Sequence, residues 1–543
     1  MKKLLLSLAF SFGFLVVIAQ QEFHVFPKDH TETPGSHLGN GSLQNPWDLQ
    51  TALGQSSEIV NGNDTIWLHE GIYNGRYSCT LNSTIENQYI TVSAFNTDKV
   101  VLNGNVESTE QQTLKVRSKR VIFQNFEITW LGEFSRQIDE NDGLKAGVAG
   151  INHLIGENCK FINLMIYNNP GLGFGTWKNT GGTLIANCYV FNNGTLTPEG
   201  KGAGEGVYVQ NNSDTETRVL KDNIIFNNYY KGVEVWSATK HAKTDWVKNV
   251  TLDNNVIFNS GLPSNYRTVD NIIVATDDRD GVNIAKNIVV KNNILYHNTD
   301  FKSNVINGDA ASLTIGFHKG APVENVLVDN NTILGRNNAM RIAYAKSLTF
   351  TNNKIYSGYI HLFSLSPEQW NFNNNLYFTK KGSAFRRSKT EAYTLKSWQS
   401  KINLDANSQW MSFKAFDLDP VLDITQNEYK PNTYRVVVFN KKEEDVVVDF
   451  SNYNIKEGVT YKMRDIENFN AILKMGTTES SSKISFPMTL NNGNPHKTLD
   501  NFGVFIIEFQ QDTKQEIIEE SEVESTDGKK DGFFKRFFRF LGF

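Results

Sequence analysis

Down the middle of the chain, apolar and polar positions repeat one local pattern: a short alternating run, an asparagine corner, then a second short run. The copies read Leu-Asp-Asn-Asn255-Val-Ile-Phe, Val-Lys-Asn-Asn293-Ile-Leu-Tyr, Val-Asp-Asn-Asn331-Thr-Ile-Leu, Phe-Thr-Asn-Asn353-Lys-Ile-Tyr and Phe-Asn-Asn-Asn374-Asn-Leu-Tyr. Weaker copies fall at Asn125, Asn163, Asn187 and Asn223. Alternation over runs this short predicts strands. The spacing is 38 residues from Asn255 to Asn293 and from Asn293 to Asn331, 22 to Asn353 and 21 to Asn374. Such intervals belong to solenoids. An amide side chain donates and accepts at once, so asparagines one rung apart can form a ladder. The pattern predicts an all-β fold, a coil of parallel strands over residues 20–400.

One coil reads as three strands. The third strands are Gly171–Trp177, Glu205–Gln210, Lys231–Trp236, Asn271–Asp277, Leu313–His318, Ala339–Tyr344 and Tyr359–Phe363. Alternation turns Val207, Val209, Val233, Val235, Ile315 and Phe317 inward. Trp177, Tyr208, Gln210, Glu234, Trp236, Asp277, His318, Arg341 and His361 then face out as a continuous strip. The longest insertions fall beside this strip, including Thr195–Gly204 and Thr299–Ala311. Long loops on a rigid repeat carry function more often than the repeat does, so these two are expected to wall a groove.

The ends read differently. Met1-Lys2-Lys3 and the apolar run Leu4–Ile18 predict a signal peptide over residues 1–19 and hence a secreted protein. Trp47–Leu53 reads as a short helix that caps the first coil. The asparagine pattern stops near Trp410, and alternating runs such as Tyr434–Phe439 and Phe502–Phe509 predict a β-sandwich over 410–511. Residues 512–543 read as an acidic linker and a basic amphipathic tail. Phe533, Phe534, Phe537, Phe538 and Leu541 fall on one helical face and Lys535, Arg536 and Arg539 on the other. Segment 532–543 therefore suits a membrane surface or a protein partner, or docking on its own β-domain.

Gly39-Asn-Gly, Asn45-Pro46-Trp47 and Asp64-Thr-Ile-Trp-Leu68 followed by Gly71-Ile-Tyr73 together resemble the opening of the right-handed parallel β-helix superfamily that includes pectate lyases. The resemblance covers residues 22–400. It implies a right-handed parallel β-helix followed by the β-sandwich. It leaves activity open, because the superfamily holds lyases, hydrolases, epimerases and non-catalytic proteins. Its best-known lyases place a basic residue after a Ca²⁺-binding strand, an arrangement with no residue-by-residue counterpart here.

Composition adds limits. The net charge of -4 gives no reason to expect a nucleic-acid partner, and leaves any acidic substrate to local basic residues. Three cysteines, Cys79, Cys159 and Cys188, are too few for a disulfide framework and read as buried free thiols. The candidate catalytic residues are Glu234, Tyr208, His318, Glu205, Lys231 and Arg279. Elimination on a uronate polymer needs a base, a cation for the carboxylate and an acid for the leaving oxygen. Hydrolysis needs two carboxylates across the bond, which Glu205 and Glu234 also offer. Trp177, Trp236, Gln210 and Arg341 are candidate substrate-binding residues. Asp277, Asp278 and Asp280 form the densest acidic cluster and a candidate calcium site, the alternative being a solvated turn. The leading expectation is a carbohydrate-active protein working on an acidic polysaccharide by β-elimination or hydrolysis. A non-catalytic surface protein that binds glycan is the alternative.

Overall fold

The computed structural model describes residues 20–137, 147–264, 268–299, 310–363, 367–388, 390–479, 482–489 and 498–510. The expected signal peptide, the tail and most of Thr299–Ala311 lie outside them. Residues 20–419 with 498–500 form one compact unit, and 420–489 with 501–510 form a second.

The first unit is a right-handed parallel β-helix. Each coil runs through three strands, and each strand pairs with its equivalents in the coils before and after, giving three sheets of twelve strands. The first sheet runs from Glu22–Val25 to Trp370–Asn373, the second from Gly71–Asn74 to Gln409–Ser412 and the third from Tyr77–Cys79 to Ala392–Tyr393. Only the last strand of the third sheet pairs antiparallel among the described residues of these sheets. Inward residues of all three sheets merge into one core that includes Val207, Val209, Val233, Val235 and Ile315, as alternation predicted. The three cysteines are buried and free.

The corner between the first and second sheets takes two residues with separate tasks. The first has a left-handed backbone, as at Asn254, Asn292, Asn330, Asn352 and Asn374 (φ 53 to 57°), a conformation asparagine tolerates better than most side chains. The second is the buried ladder position. Asn255 Nδ2 donates to Asn293 Oδ1 at 2.9 Å, Asn293 to Asn331 at 3.0 Å and Asn331 to Asn353 at 2.9 Å. Each Oδ1 also accepts the backbone N–H of the preceding asparagine, and each Nδ2 also reaches a carbonyl of the coil behind. Every amide atom is thus satisfied.

Two expectations about this corner change. The last rung of the run is Asn375, not Asn374, and the step from Asn353 is 22 residues. At Asn125, Asn163 and Asn187 the asparagine occupies the left-handed position. The ladder position there is apolar: Phe126, Leu164 and Cys188. The polar ladder therefore starts at Asn223 and ends on Asp405, which accepts from Asn375 Nδ2 at 3.0 Å and from Trp398 Nε1 at 3.1 Å.

Both ends of the coil are closed by short helices. Asp48 caps Leu49–Leu53, whose Leu49, Ala52 and Leu53 are buried. Thr394 caps Leu395–Ile402, which buries Trp398. The second unit is a small antiparallel β-sandwich. A five-stranded sheet and a two-stranded sheet share a core of Tyr434, Val436, Val448, Phe486, Phe505 and Ile507. No helix among the described residues is long and apolar enough to cross a membrane.

Candidate active site

The outer face of the third sheet carries one row in strict register: Asn152, Gly175, Tyr208, Glu234, Ile273, Thr314, Arg341, His361 and Arg386. No residue type repeats between neighbours. A second row lies three residues earlier on three consecutive strands. Since Val207, Val233 and Ile272 are register partners, Glu205, Lys231 and Asp270 occupy equivalent rungs. A glycine follows each of the first two. A Cβ at Gly232 would stand 2.5 Å from Ile257, so the turn into the strand admits no side chain there.

The two rows converge. Lys231 Nζ donates to Glu234 Oε1, and Glu205 lies close enough to act on the Glu234 carboxyl. Asp270 accepts from Thr314 Oγ1 and adds charge near Lys231. The ammonium of Lys231 sits 4.8 Å from the ring centre of Tyr230 and 5.2 Å from that of Trp236. Glu234 is only 3 % exposed. Burial pushes its carboxyl up to about 8, against the pull of Lys231 and with a further push from Glu205. Burial thus disfavours the charged carboxylate, and the pairing with Lys231 offsets that only in part. Burial opposes the charge on Lys231, but Glu234, Tyr230 and Asp270 outweigh it and raise its pKa above the ordinary lysine value. Burial, then Glu234 and Glu205, raises the Tyr208 hydroxyl, which stays protonated and able to donate.

Beside Tyr208 lies a cleft of about 410 Å³ lined by Trp177, Lys178, Tyr208, Gln210, Thr239 and Trp246 among others. The ring of Trp177 tilts against Tyr208 at 5.1 Å, and Lys178 Nζ lies 3.8 Å over Trp246. Gln210 donates to Tyr208 Oη at 3.1 Å and to the Trp236 carbonyl at 3.2 Å. Beneath, the fully buried Arg218 donates to the carbonyls of Gln210 and Thr180 and to the Thr176 hydroxyl. It ties together the strand ends that carry the cleft.

Glu205, Tyr208, Lys231 and Glu234 thus come together, with Trp177 and Gln210 on the adjoining cleft. The other candidates go elsewhere. Gly316, with φ 80°, ends the alternation of its strand. Phe317, expected inside, is 45 % exposed and packs edge-on against Trp236 at 5.0 Å. His318 follows on the loop, where its Nδ1 lies 3.1 Å from the Asp278 carbonyl, and the outer-row residue of that strand is Thr314. Trp236 is buried with Ile273 and Ala275, so it supports Lys231 and offers no open face to a sugar. Arg279 pairs with Asp277 at 2.7 Å. The Asp278 carboxylate accepts the backbone N–H groups of Ala242, Val282 and Asn283 and braces its loop. Asp280 lies 3.1 Å from His241. Among the described residues no three His, Cys, Asp or Glu side chains are grouped to hold a metal ion. Arg341 lies on the outer row, three rungs from Glu234.

Sequence reasoning missed Asp270, Thr314, Lys178 and Trp246. Asp270 had a usable signal: it stands two residues before the first inward position of its strand, as Glu205 and Lys231 do.

The fold and this face define the class: a right-handed parallel β-helix with a charged cluster on one sheet. No family model matches the chain, and no curated protein matches it. Among solved structures it is similar to pectate lyase Pel9A, at 16% identity over 75% of this chain and 84% of that one, with a TM-score of 0.43. It is similar also to an alginate lyase from Paenibacillus sp. str. FPU-7 (17% identity, 60% and 91% covered, TM-score 0.35). XylC, solved with xylose, is a third (11% identity, 86% and 95% covered, TM-score 0.45). The fold stands on the three sheets themselves.

Proposed function

We propose that the protein is an exported enzyme that cleaves an acidic polysaccharide by β-elimination at the Lys231–Glu234 cluster. The carrying observation is the convergence of a cation, a carboxylate of raised pKa and a protonated phenol on neighbouring rungs of one face. In this reading Lys231 neutralises the uronate carboxylate, which acidifies the adjacent C–H. The Glu234–Glu205 pair takes that proton. Tyr208 protonates the oxygen of the leaving sugar as the C–O bond breaks and a C=C bond forms. Elimination fits better than hydrolysis because a lysine stands against Glu234, the cation that elimination needs for the carboxylate and that two-carboxylate hydrolysis does not use. The Trp177–Trp246 cleft would take the neighbouring sugar ring, since flat aromatic faces suit such rings. Asp278, the central residue of the candidate calcium cluster, is committed to its own loop, and the step above runs on Lys231 as the cation.

The test is incubation with a panel of uronate polymers, read by the absorbance of the unsaturated product. The expected result is product from at least one polymer, rising with pH toward about 8 as Glu234 loses its proton. New reducing ends without that absorbance would favour hydrolysis. No product from any polymer would leave the glycan-binding alternative.

A further inference from the structure

Beside the Lys231–Glu234 pair stands a carboxylate that no substrate can reach. Asp270 occupies the position of Lys231 on the following rung. Its carbonyl accepts the N–H of Gly232, which fastens the two rungs together next to Lys231. Its carboxylate accepts from Thr314 Oγ1 on the next strand. It adds negative charge at Lys231 without pairing with it directly. Asp270 is 5 % exposed, and the outer row beyond Glu234 is closed, with Ile273 2 % and Thr314 0 % exposed. A substrate lying on Tyr208 and Glu234 therefore cannot touch Asp270. The other titratable groups facing the pair are Glu205 and Tyr208 on the rung before and Tyr230 beside Lys231. When Glu234 takes a proton from the substrate, its own charge disappears. A buried ammonium left without a counter-charge is strongly unfavourable, and Asp270 is the buried carboxylate that the substrate's proton does not reach.

We propose that Asp270, anchored by Thr314, is a positioning residue for the reaction, keeping Lys231 charged and in place at the moment Glu234 is protonated. The proposal rests on the reading of the cluster as the reaction centre. It gives the two carboxylates separate tasks. Glu234 is free to gain and lose a proton because Lys231 does not depend on it alone. Asp270 acts only through Lys231, and no bond of the substrate is made or broken at it. Without the Asp270 charge, Lys231 would lean on Glu234 and hold that carboxyl in its charged form down to lower pH.

The experiment uses the full chain and three variants: Asp270→Asn, Lys231→Met and the two combined. Asp270→Asn keeps the shape and an acceptor oxygen for Thr314 and removes the charge. Urea unfolding near neutral pH should show that Asp270→Asn costs at least roughly fivefold more in the unfolding equilibrium constant when Lys231 is present than when it is replaced, as residues of one charge network do. Urea midpoints across the pH range should show the fall caused by Glu234 ending at a pH lower by at least about half a unit in Asp270→Asn. The rise of activity with pH should move by the same amount in the same direction, which a packing residue would not produce. If Asp270→Asn alone does not fold and the double variant does, the cost is the uncompensated ammonium and the proposal is upheld. Failure of both to fold would make Asp270 a structural residue and overturn it. An equal cost of Asp270→Asn in the two backgrounds, or an unmoved pH limb, would overturn it as well. A moved limb of stability without unsaturated product from any polymer would keep Asp270 as the counter-charge of Lys231 and remove the lyase reading.

Discussion

Two rows of side chains run along the same coil and obey opposite rules. At the corner between the first and second sheets, the ladder position holds one residue type from Asn223 to Asn375. On the outer face of the third sheet, each rung holds a different type from its neighbour. A ladder works by identity, because each amide must present the next with the same donor and acceptor. A reaction centre works by difference, because a base, a cation and an acid must meet. In a repeat fold, the place where repetition fails while the backbone stays regular is where to look for chemistry.

The sharpest separation of the rows comes from one substitution in each. Glu234→Gln is expected to lower activity by about 10²–10⁴-fold, the range for losing a positioned acid or base. The midpoint of thermal unfolding should change little, since Asp270 remains near Lys231. Full activity in that variant would move the reaction off this face. Asn293→Ala should do the reverse. It removes the partner of the Leu252 carbonyl, of the Asn255 backbone N–H and of one of the two Asn255 Nδ2 hydrogens, at about 1–3 kcal/mol for each buried group. Denaturant unfolding should show a loss of about 3 kcal/mol or more. A neutral result would mean that water or a shifted backbone replaces the ladder.

The ladder was legible in the sequence because it repeats, and its faults come from the same source. Where both corner residues are asparagine, the pattern cannot say which one is buried, so Asn374 stood in for Asn375. Where only the left-handed residue is asparagine, as at Asn163, the pattern marks the corner and misses the rung. The outer row was legible only as far as strict alternation held. It placed Tyr208 and Glu234 on one face and failed at Gly316, whose positive φ turned Phe317 out and carried His318 onto a loop. The convergence of Glu205 and Lys231 on Glu234 depends on the turn through Gly206 and Gly232, and no periodicity describes a turn.

The pH dependence of stability should also divide between the interior and the outer face. His153 and His297 are buried, and desolvation, aided by Arg218 and Arg336, lowers each pKa from 6.5 to about 3. Between those values the unfolded chain binds more protons. Stability from these groups is full above about pH 6.5 and falls as the pH drops toward 3. Glu234 has the opposite sign. Its folded pKa is raised, so its contribution is full below about 4.5 and is lost as the pH rises through about 8. Urea midpoints measured from pH 4 to 9 should fall at both ends. Glu234→Gln should flatten the alkaline side only. An unchanged alkaline limb would place the proton elsewhere in the cluster.

The smallest effect is expected where the two rules meet, at Cys188. It stands at the ladder position one rung before Asn223, and its backbone N–H already donates to Asn223 Oδ1 at 2.9 Å. Its thiol lies 3.4 Å from the Phe161 carbonyl, the counterpart of the carbonyl that each ladder amide reaches in the coil behind. Cys188→Asn would therefore find both partners of its Nδ2 in place, and the amide would extend the ladder by one rung. Its Oδ1 would face the coil of Leu164, whose backbone N–H it could accept as Asn223 Oδ1 accepts that of Cys188. The expected change in unfolding free energy is within about 1 kcal/mol, since a hydrogen-bonded buried amide roughly offsets its own desolvation. Leu164→Asn, one rung further back and against an apolar neighbour at Phe126, should cost more. If Cys188→Asn instead destabilised as much as Asn293→Ala, the ladder would depend on the shape of its first rung. The rule of identity would then hold only between asparagines already in place.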